Sequence, residues 1–237
     1  MTRREEISEN LSIVQARIDS ACGSSGRSSK EVTLIAVTKN FPAEDAQILY
    51  ELGVRDFGEN RDQEGALKSG LLPGDITWHF QGQIQSRKIN SISSWADCIH
   101  SLSSIDHARK FNSLLGNPEN KENKKNKVGK FLIQVNFEPE RSDRGGVVPL
   151  RIEPFLEELQ SLTQIRPVGL MTVAPVLGDP TNIFEELRAI QMRLVLSFPT
   201  VTHLSMGMSG DFEAAIWCGA THIRVGSSIL GSRGLPA

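Results

Sequence analysis

Leu34-Ile35-Ala36-Val37-Thr38-Lys39-Asn40-Phe41-Pro42 is the stretch from which the rest of this chain is read. An apolar run from Val32 to Val37 ends at a lysine, and a proline then opens a helical pattern that continues to Leu52. A near-continuous apolar run is what a strand covered on both faces requires. Proline is tolerated in the first turn of a helix, where its missing N–H has no partner to lose. The stretch therefore reads as a buried strand handing over to a helix, the unit from which parallel α/β folds are built. Lys39 has two readings at this position. At the C-terminal end of a buried strand its amine can face a pocket where desolvation lowers its pKa, and the neutral amine can attack an aldehyde. Alternatively it is a strand-end lysine whose ammonium snorkels to water.

Working outward, Ile7, Leu11, Val14 and Ile18 recur at steps of three and four with charges between them, which predicts a helix over about residues 4–22. Gly23 and the Ser/Gly run to Ser29 end it as a flexible link. Downstream the strand–helix rhythm repeats. Strands are predicted at Val54–Phe57, Thr77–Phe80, Asp97–Leu102, Phe131–Asn136, Val168–Val173, His203–Met206 and His222–Val225. Helices are predicted at Arg61–Ser69, from about Ile84, at Ser103–Leu115, Pro154–Leu162 and Ile183–Leu196, and from an Asp211 cap to a Gly219 stop. Eight strands alternating with helices predict one (β/α)8 TIM-type barrel domain over residues 1–237, with an extra N-terminal helix.

The 26 basic and 28 acidic residues are mixed along the chain and leave a formal charge of −2, so no footprint for nucleic acid or acidic lipid stands out. A small-molecule partner fits better. Cys22, Cys98 and Cys218 are far apart and show no CxxC or Cys/His spacing, which argues against a disulfide framework and against a metal site. No apolar run approaches a signal or membrane-spanning segment, and the chain is read as a cytoplasmic protein, expected as a monomer. The run 116–126 is polar and lysine-rich, and on the helix-to-strand side of a barrel it has no catalytic role. The segment Phe137–Val147, with Arg141, Asp143, Arg144 and Gly145-Gly146, borders the active side either as a lid or as a long loop.

Reactive groups in such a barrel come from the C-terminal ends of the strands. Those ends bring forward Lys39, Asn60, His79 and Asn136. The last two strands run into Ser205-Met206-Gly207-Met208-Ser209-Gly210-Asp211 and Val225-Gly226-Ser227-Ser228, small-residue loops at the usual phosphate position of this fold. They read either as an anion site or as tight turns. No P-loop or GxGxxG fingerprint occurs, which disfavours nucleotide readings. Arg224, inside an apolar strand, needs a partner: a carboxylate such as Glu59 or Asp211, or the ring nitrogen of a cofactor. Lys39, a phosphate site and Arg224 together describe a pyridoxal 5'-phosphate (PLP) pocket. His79 is either a barrel-interior histidine satisfied by hydrogen bonds or an acid/base group.

Six words in order carry a resemblance: Ala36-Val37-Thr38-Lys39; Phe57-Gly58-Glu59-Asn60-Arg61 with Gln63-Glu64; Trp78-His79-Phe80-Gln81-Gly82; Gly169-Leu170-Met171-Thr172; Leu204-Ser205-Met206-Gly207-Met208-Ser209; and Ile223-Arg224-Val225-Gly226-Ser227. With them the chain resembles the pyridoxal-phosphate homeostasis protein family, itself similar to the barrel domain of alanine racemase. The resemblance implies a Schiff base on Lys39, Asn60 close to the ring, His79 and Met206 within the cofactor site, phosphate contacts from Ser205, Ser209, Gly226 and Ser227, and Arg224 at the pyridine nitrogen. It implies a role in intracellular PLP balance, with PLP-dependent apo-enzymes as partners and no catalytic residues assigned. Thr38, Gln81 and Arg87 depart from the family's commoner residues, and Gln81 puts in doubt what sits beyond His79. A racemase would need a second base, typically a tyrosine from another domain. The only tyrosine is Tyr50, expected on an outer helix, and the chain ends soon after the eighth strand. A carrier is thus expected, with a low-activity PLP-dependent racemase or lyase as the alternative.

Overall fold

The computed structural model of the protein describes residues 1–119, 129–140, 145–175 and 178–231. Residues 120–126 of the lysine-rich run, and Arg141, Asp143 and Arg144 of the 137–147 segment, lie outside them. Eight parallel strands close in chain order into a barrel: β1 (Thr33–Val37), β2 (Asp56–Glu59), β3 (Thr77–Phe80), β4 (Cys98–Leu102), β5 (Lys130–Gln134), β6 (Pro167–Met171), β7 (His203–Met208) and β8 (His222–Val225). The closing pair sets Thr33 beside His222 and Ala36 beside Val225. Between and around them run α1 (Arg3–Ser24), α2 (Ala43–Glu51), α3 (Asp62–Leu71), α4 (Ile89–Trp95), α5 (Ile105–Gly116), α6 (Ile152–Leu159), α7 (Thr181–Ser197), α8 (Phe212–Trp217) and α9 (Ser227–Leu230). The expected (β/α)8 barrel with an N-terminal helix is the observed architecture.

Alternation along the strands separates the two sides of the barrel wall. Ala36, Phe57, Trp78, Ile99, Leu204 and Ile223 join the main core between strands and helices. Cys98, Leu132, Val168 and Met171 form a separate, smaller cluster inside the barrel. The inward rows therefore run Thr33-Ile35-Val37-Lys39, Asp56-Gly58-Asn60, His79-Gln81 and His222-Arg224-Gly226. Each row opens at one end into one of two cavities. Thr33, Asp56, His79 and His222 line a cavity of about 780 Å³ at the N-terminal mouth. Lys39, Asn60, Gln81 and Gly226 line one of about 560 Å³ at the C-terminal mouth.

Helix α1 begins with a capping box, in which Thr2 Oγ1 accepts from the Glu5 N–H and the Glu5 carboxylate accepts from the Thr2 N–H at 2.7 Å. Its buried stripe Ile7, Leu11, Val14 and Ile18 is the one the spacing predicts. The helix lies against α2, α8 and α9, so it covers the seam where β8 meets β1. Arg3 fastens that seam, pairing with Asp45 at 2.7 Å and donating to the Leu230 carbonyl at 2.9 Å. No helix among the described residues is long and apolar enough to cross a membrane.

Candidate functional site

Lys39 stands one step beyond β1, in the inward row, on the wall of the C-terminal cavity. The turn that carries it places Asn40 at φ 65°, a left-handed conformation that asparagine tolerates better than most residues. From beneath, Thr38 is clamped between the barrel and α3: its Oγ1 donates to Glu59 Oε1 at 2.6 Å, and Lys68 Nζ donates to its carbonyl at 2.7 Å. Lys68 also donates to Glu59 Oε1 at 2.6 Å. Burial pushes the Glu59 carboxyl up, opposed by the Lys68 and Thr38 donors. Lys39 itself is exposed at the cavity wall.

Arg224 reaches the same cavity from β8. Its Nη1 donates to Ser205 Oγ at 2.9 Å and its Nη2 to the Thr172 carbonyl at 2.8 Å. No salt bridge joins Arg224 to a carboxylate among the described residues; Asp211 acts on it only through the field, while burial draws its pKa down to about 10. Of the partners open from sequence, neutral oxygens have taken the place of Glu59 and Asp211. Ser209 Oγ accepts from the Gly226 N–H at 3.2 Å and from the Ser228 N–H at 3.3 Å, which stitches the loop after β7 to the loop after β8. Within β7 the backbone turns at Gly207, with φ +89°; a Cβ there would lie 2.6 Å from Ala215 Cβ and 2.9 Å from Phe212 Cα.

Six of the residues brought forward from sequence meet in this cavity: Lys39, Asn60, Ser209, Arg224, Gly226 and Ser227. Three do not. His79 is one layer lower in its row, on the N-terminal cavity, with Nδ1 2.8 Å from His100 Nε2 and Nε2 3.0 Å from Asp56 Oδ1. Ser205 is fully buried inside the barrel beneath Arg224, and Met206 points outward into the main core. The reason for the last two is that β7 runs on to Met208, two residues past its expected end, so Ser205 and Met206 are mid-strand. Asn136 borders a neighbouring cavity with Gln81 and Val173.

Gln81 is the wall residue that motif reading did not put in the site. Its signal was its place two residues after His79, at the top of the same inward row. Two buried atoms of this wall have no hydrogen-bond partner, the acceptor Asn60 Oδ1 and the donor Gln81 Nε2. Apolar Val37, Phe41, Met171 and Val173 complete the walls. The cavity thus presents an amine and a guanidinium on an apolar slot, with serine hydroxyls at the Ser209–Ser227 side, a volume and lining suited to a cofactor-sized ligand. Tyr50 is outside it: its hydroxyl donates to Asp75 Oδ1 at 2.9 Å and its ring stacks under Arg55.

The alanine racemase N-terminal-domain family matches residues 7–234. A pyridoxal phosphate homeostasis protein of Corynebacterium glutamicum is 37% identical over 222 residues, covering 94% of this chain and 100% of that one. The pyridoxal phosphate homeostasis protein of Aquifex aeolicus is 36% identical over 230 residues, covering 95% and 97%. Among solved structures, PipY of Synechococcus elongatus PCC7942 with PLP bound superposes with a TM-score of 0.80 at 33% identity, covering 95% of this chain and 100% of PipY.

Proposed function

The chain belongs to the pyridoxal phosphate homeostasis protein family, and from that premise we propose that it binds PLP in the C-terminal cavity and serves PLP homeostasis and delivery without strong catalytic turnover. The observation that carries the proposal is the meeting of Lys39, Arg224 and the Ser209–Ser227 loops in one cavity whose wall also holds the unpartnered Asn60 Oδ1 and Gln81 Nε2. An acceptor and a donor left unpaired in a buried wall are costly unless a ligand meets them.

In this proposal Lys39 is the residue that would hold the cofactor, by its aldehyde, as a Schiff base to Nζ. Arg224, a donor at every N–H, would meet the ring nitrogen as an acceptor. The Ser209 and Ser227 hydroxyls and the Gly226 backbone would take the phosphate, and Asn60 and Gln81 would meet polar atoms of the ring. When bound, the cofactor supplies an aldehyde that a lysine can hold and, in enzymes, an electron sink. An arginine in place of an acid at the ring nitrogen weakens that sink.

Delivery is favoured over turnover because no second proton-transferring base besides Lys39 lines the cavity among the described residues. Tyr50 is held at the outer surface by Asp75, and His79 is at the other mouth. A monomeric, cytoplasmic protein that passes PLP to apo-enzymes belongs to the same proposal. Incubating PLP-loaded protein with amino acids in deuterated water tests it: the carrier shows Cα exchange near background. Rapid exchange that disappears in Lys39→Ala would establish a low-activity racemase or lyase instead. A transfer assay in which protein-bound PLP activates an apo-enzyme faster than an equal free concentration addresses delivery directly.

A further inference from the structure

A line of hydrogen bonds crosses the barrel interior from one mouth to the other. Arg224 of β8 donates through Nη1 to Ser205 Oγ of β7 at 2.9 Å. Ser205 Oγ lies 2.9 Å from His100 Nδ1 of β4, and His100 Nε2 lies 2.8 Å from His79 Nδ1 of β3. His79 Nε2 lies 3.0 Å from Asp56 Oδ1 of β2. Arg224 is on the C-terminal cavity and Asp56 and His79 are on the N-terminal one. Ser205 and His100 are fully buried and His79 is 3% exposed.

With one proton on each ring, every bond between the two ends pairs a donor with an acceptor. Asp56 Oδ1 is the acceptor at the far end, so His79 Nε2 carries the proton of that bond. A second proton on either ring would place another cation in a lumen that already buries Arg224, which low dielectric disfavours. His79 Nδ1 then accepts, and His100 Nε2 donates to it. His100 Nδ1 then accepts from the Ser205 hydroxyl, whose oxygen in turn accepts from Arg224. That arrangement satisfies all four bonds: Arg224 to Ser205 to His100 to His79 to Asp56, each donating to the next.

We infer that Ser205, His100, His79 and Asp56 are positioning residues for Arg224, forming a directional relay that holds the guanidinium at the floor of the C-terminal cavity from an anchor at the opposite mouth. The inference rests on the proposed contact of Arg224 with the PLP ring nitrogen. The relay also fits the place of the histidines: two neutral rings, each with one donor and one acceptor, span a gap that a single side chain would not bridge. His79, Cys98 and His100 bring potential ligand atoms within 4.8 Å of one another. Both histidines are committed to the relay on the sides that face each other.

Two measurements test the relay separately from PLP binding. Imidazole ¹⁵N NMR of the protein without PLP reads the tautomers, and both His79 and His100 are expected as neutral rings protonated at Nε2. An Nδ1–H tautomer or a doubly protonated ring at either position overturns the relay, as does a stoichiometric shift of both rings by Zn²⁺, which would assign a metal site there. Asp56 is half-buried at the mouth, so Asp56→Ala removes the anchor with little packing loss; thermal melting checks that the variant is folded. PLP titration is expected to show affinity reduced about fivefold, the scale of coupling through a packed network. Asp56→Asn, whose amide oxygen still accepts, restores affinity to within about twofold of the parent. Equal affinity in the parent and Asp56→Ala refutes the positioning role. Absence of PLP binding by the parent protein refutes the proposed function, while the tautomers continue to report on the relay.

Discussion

Lys68→Met is expected to be among the most damaging single changes beneath the site. The side chain is 4% exposed and its Nζ donates to Glu59 Oε1 at 2.6 Å and to the Thr38 carbonyl at 2.7 Å. Glu59 is fully buried and its Oε2 has no hydrogen-bond partner, so without Lys68 its charge rests on the Thr38 hydroxyl alone. Removing one member of a buried ion pair costs about 3–5 kcal/mol. At roughly 2–4 °C per kcal/mol for a chain of this size, melting falls by roughly 6–20 °C. The loss depends on pH with a definite sign. Burial already raises Glu59 above its unfolded value, and the variant deletes a contribution that lowers it, so its folded pKa climbs further. A group raised on folding contributes stability that is present below its unfolded pKa and lost as pH rises through the folded one. The deficit relative to the parent is therefore smaller at pH 5 than at pH 8. Calorimetric unfolding of the parent, Lys68→Met and the double variant Glu59→Met/Lys68→Met at both values makes the comparison. The double variant regains most of the loss, because an apolar pair needs no counter-charge. A deficit below about 1 kcal/mol, the scale of an exposed ion pair, refutes the clamp; so does a deficit equal at the two pH values.

Other outcomes are expected from the same geometry. In Gly82→Ala a Cβ would lie 1.9 Å from the Asn60 carbonyl oxygen, a backbone atom; overpacking of this kind costs about 1–3 kcal/mol and moves Asn60 off the cavity wall, measured as lower melting together with weaker PLP binding. Burial holds His222 down to about 3, so the stability it contributes is present above the unfolded histidine pKa and lost as pH falls toward 3; His222→Leu flattens the acid limb of unfolding free energy against pH. Cys98 is buried with its thiol pushed up to about 12, and Cys22 and Cys218 are also buried and raised; a thiol reagent at pH 8 reacts slowly with the folded protein and promptly in denaturant. Tyr50→Phe leaves any residual Cα exchange unchanged, because its hydroxyl is engaged with Asp75 away from the cavity; a clear fall would return Tyr50 to the chemistry.

The barrel was legible because its strands are apolar runs with polar exits, and the closure of β8 on β1 brings Arg224 and Gly226 to the cavity of Lys39 though nearly the whole chain separates them. Lys39 and Asn60 were legible as inward residues just past strand ends. What escaped was depth within a row. His79 and Gln81 face the same way, but one period-two step separates the N-terminal cavity from the C-terminal one, and the eye goes to the histidine. Ser205 and Met206 escaped because Gly207 looks like the start of a loop; its φ of +89° instead accompanies a register shift between Ser205 and Met208, and pairing with β8 continues to Met208. The relay across the lumen was out of reach of motif reading, since its five members come from five strands and no local pattern joins them.

Lys39 is the residue proposed to hold the cofactor. Adding PLP to the protein, reducing with borohydride and mapping the labelled peptide by mass spectrometry reads it directly. One phosphopyridoxyl group on Lys39 is expected at stoichiometric PLP, with the visible Schiff-base band absent in Lys39→Ala. A label on another lysine with Lys39 unmodified, or an unchanged band in Lys39→Ala, would contradict it.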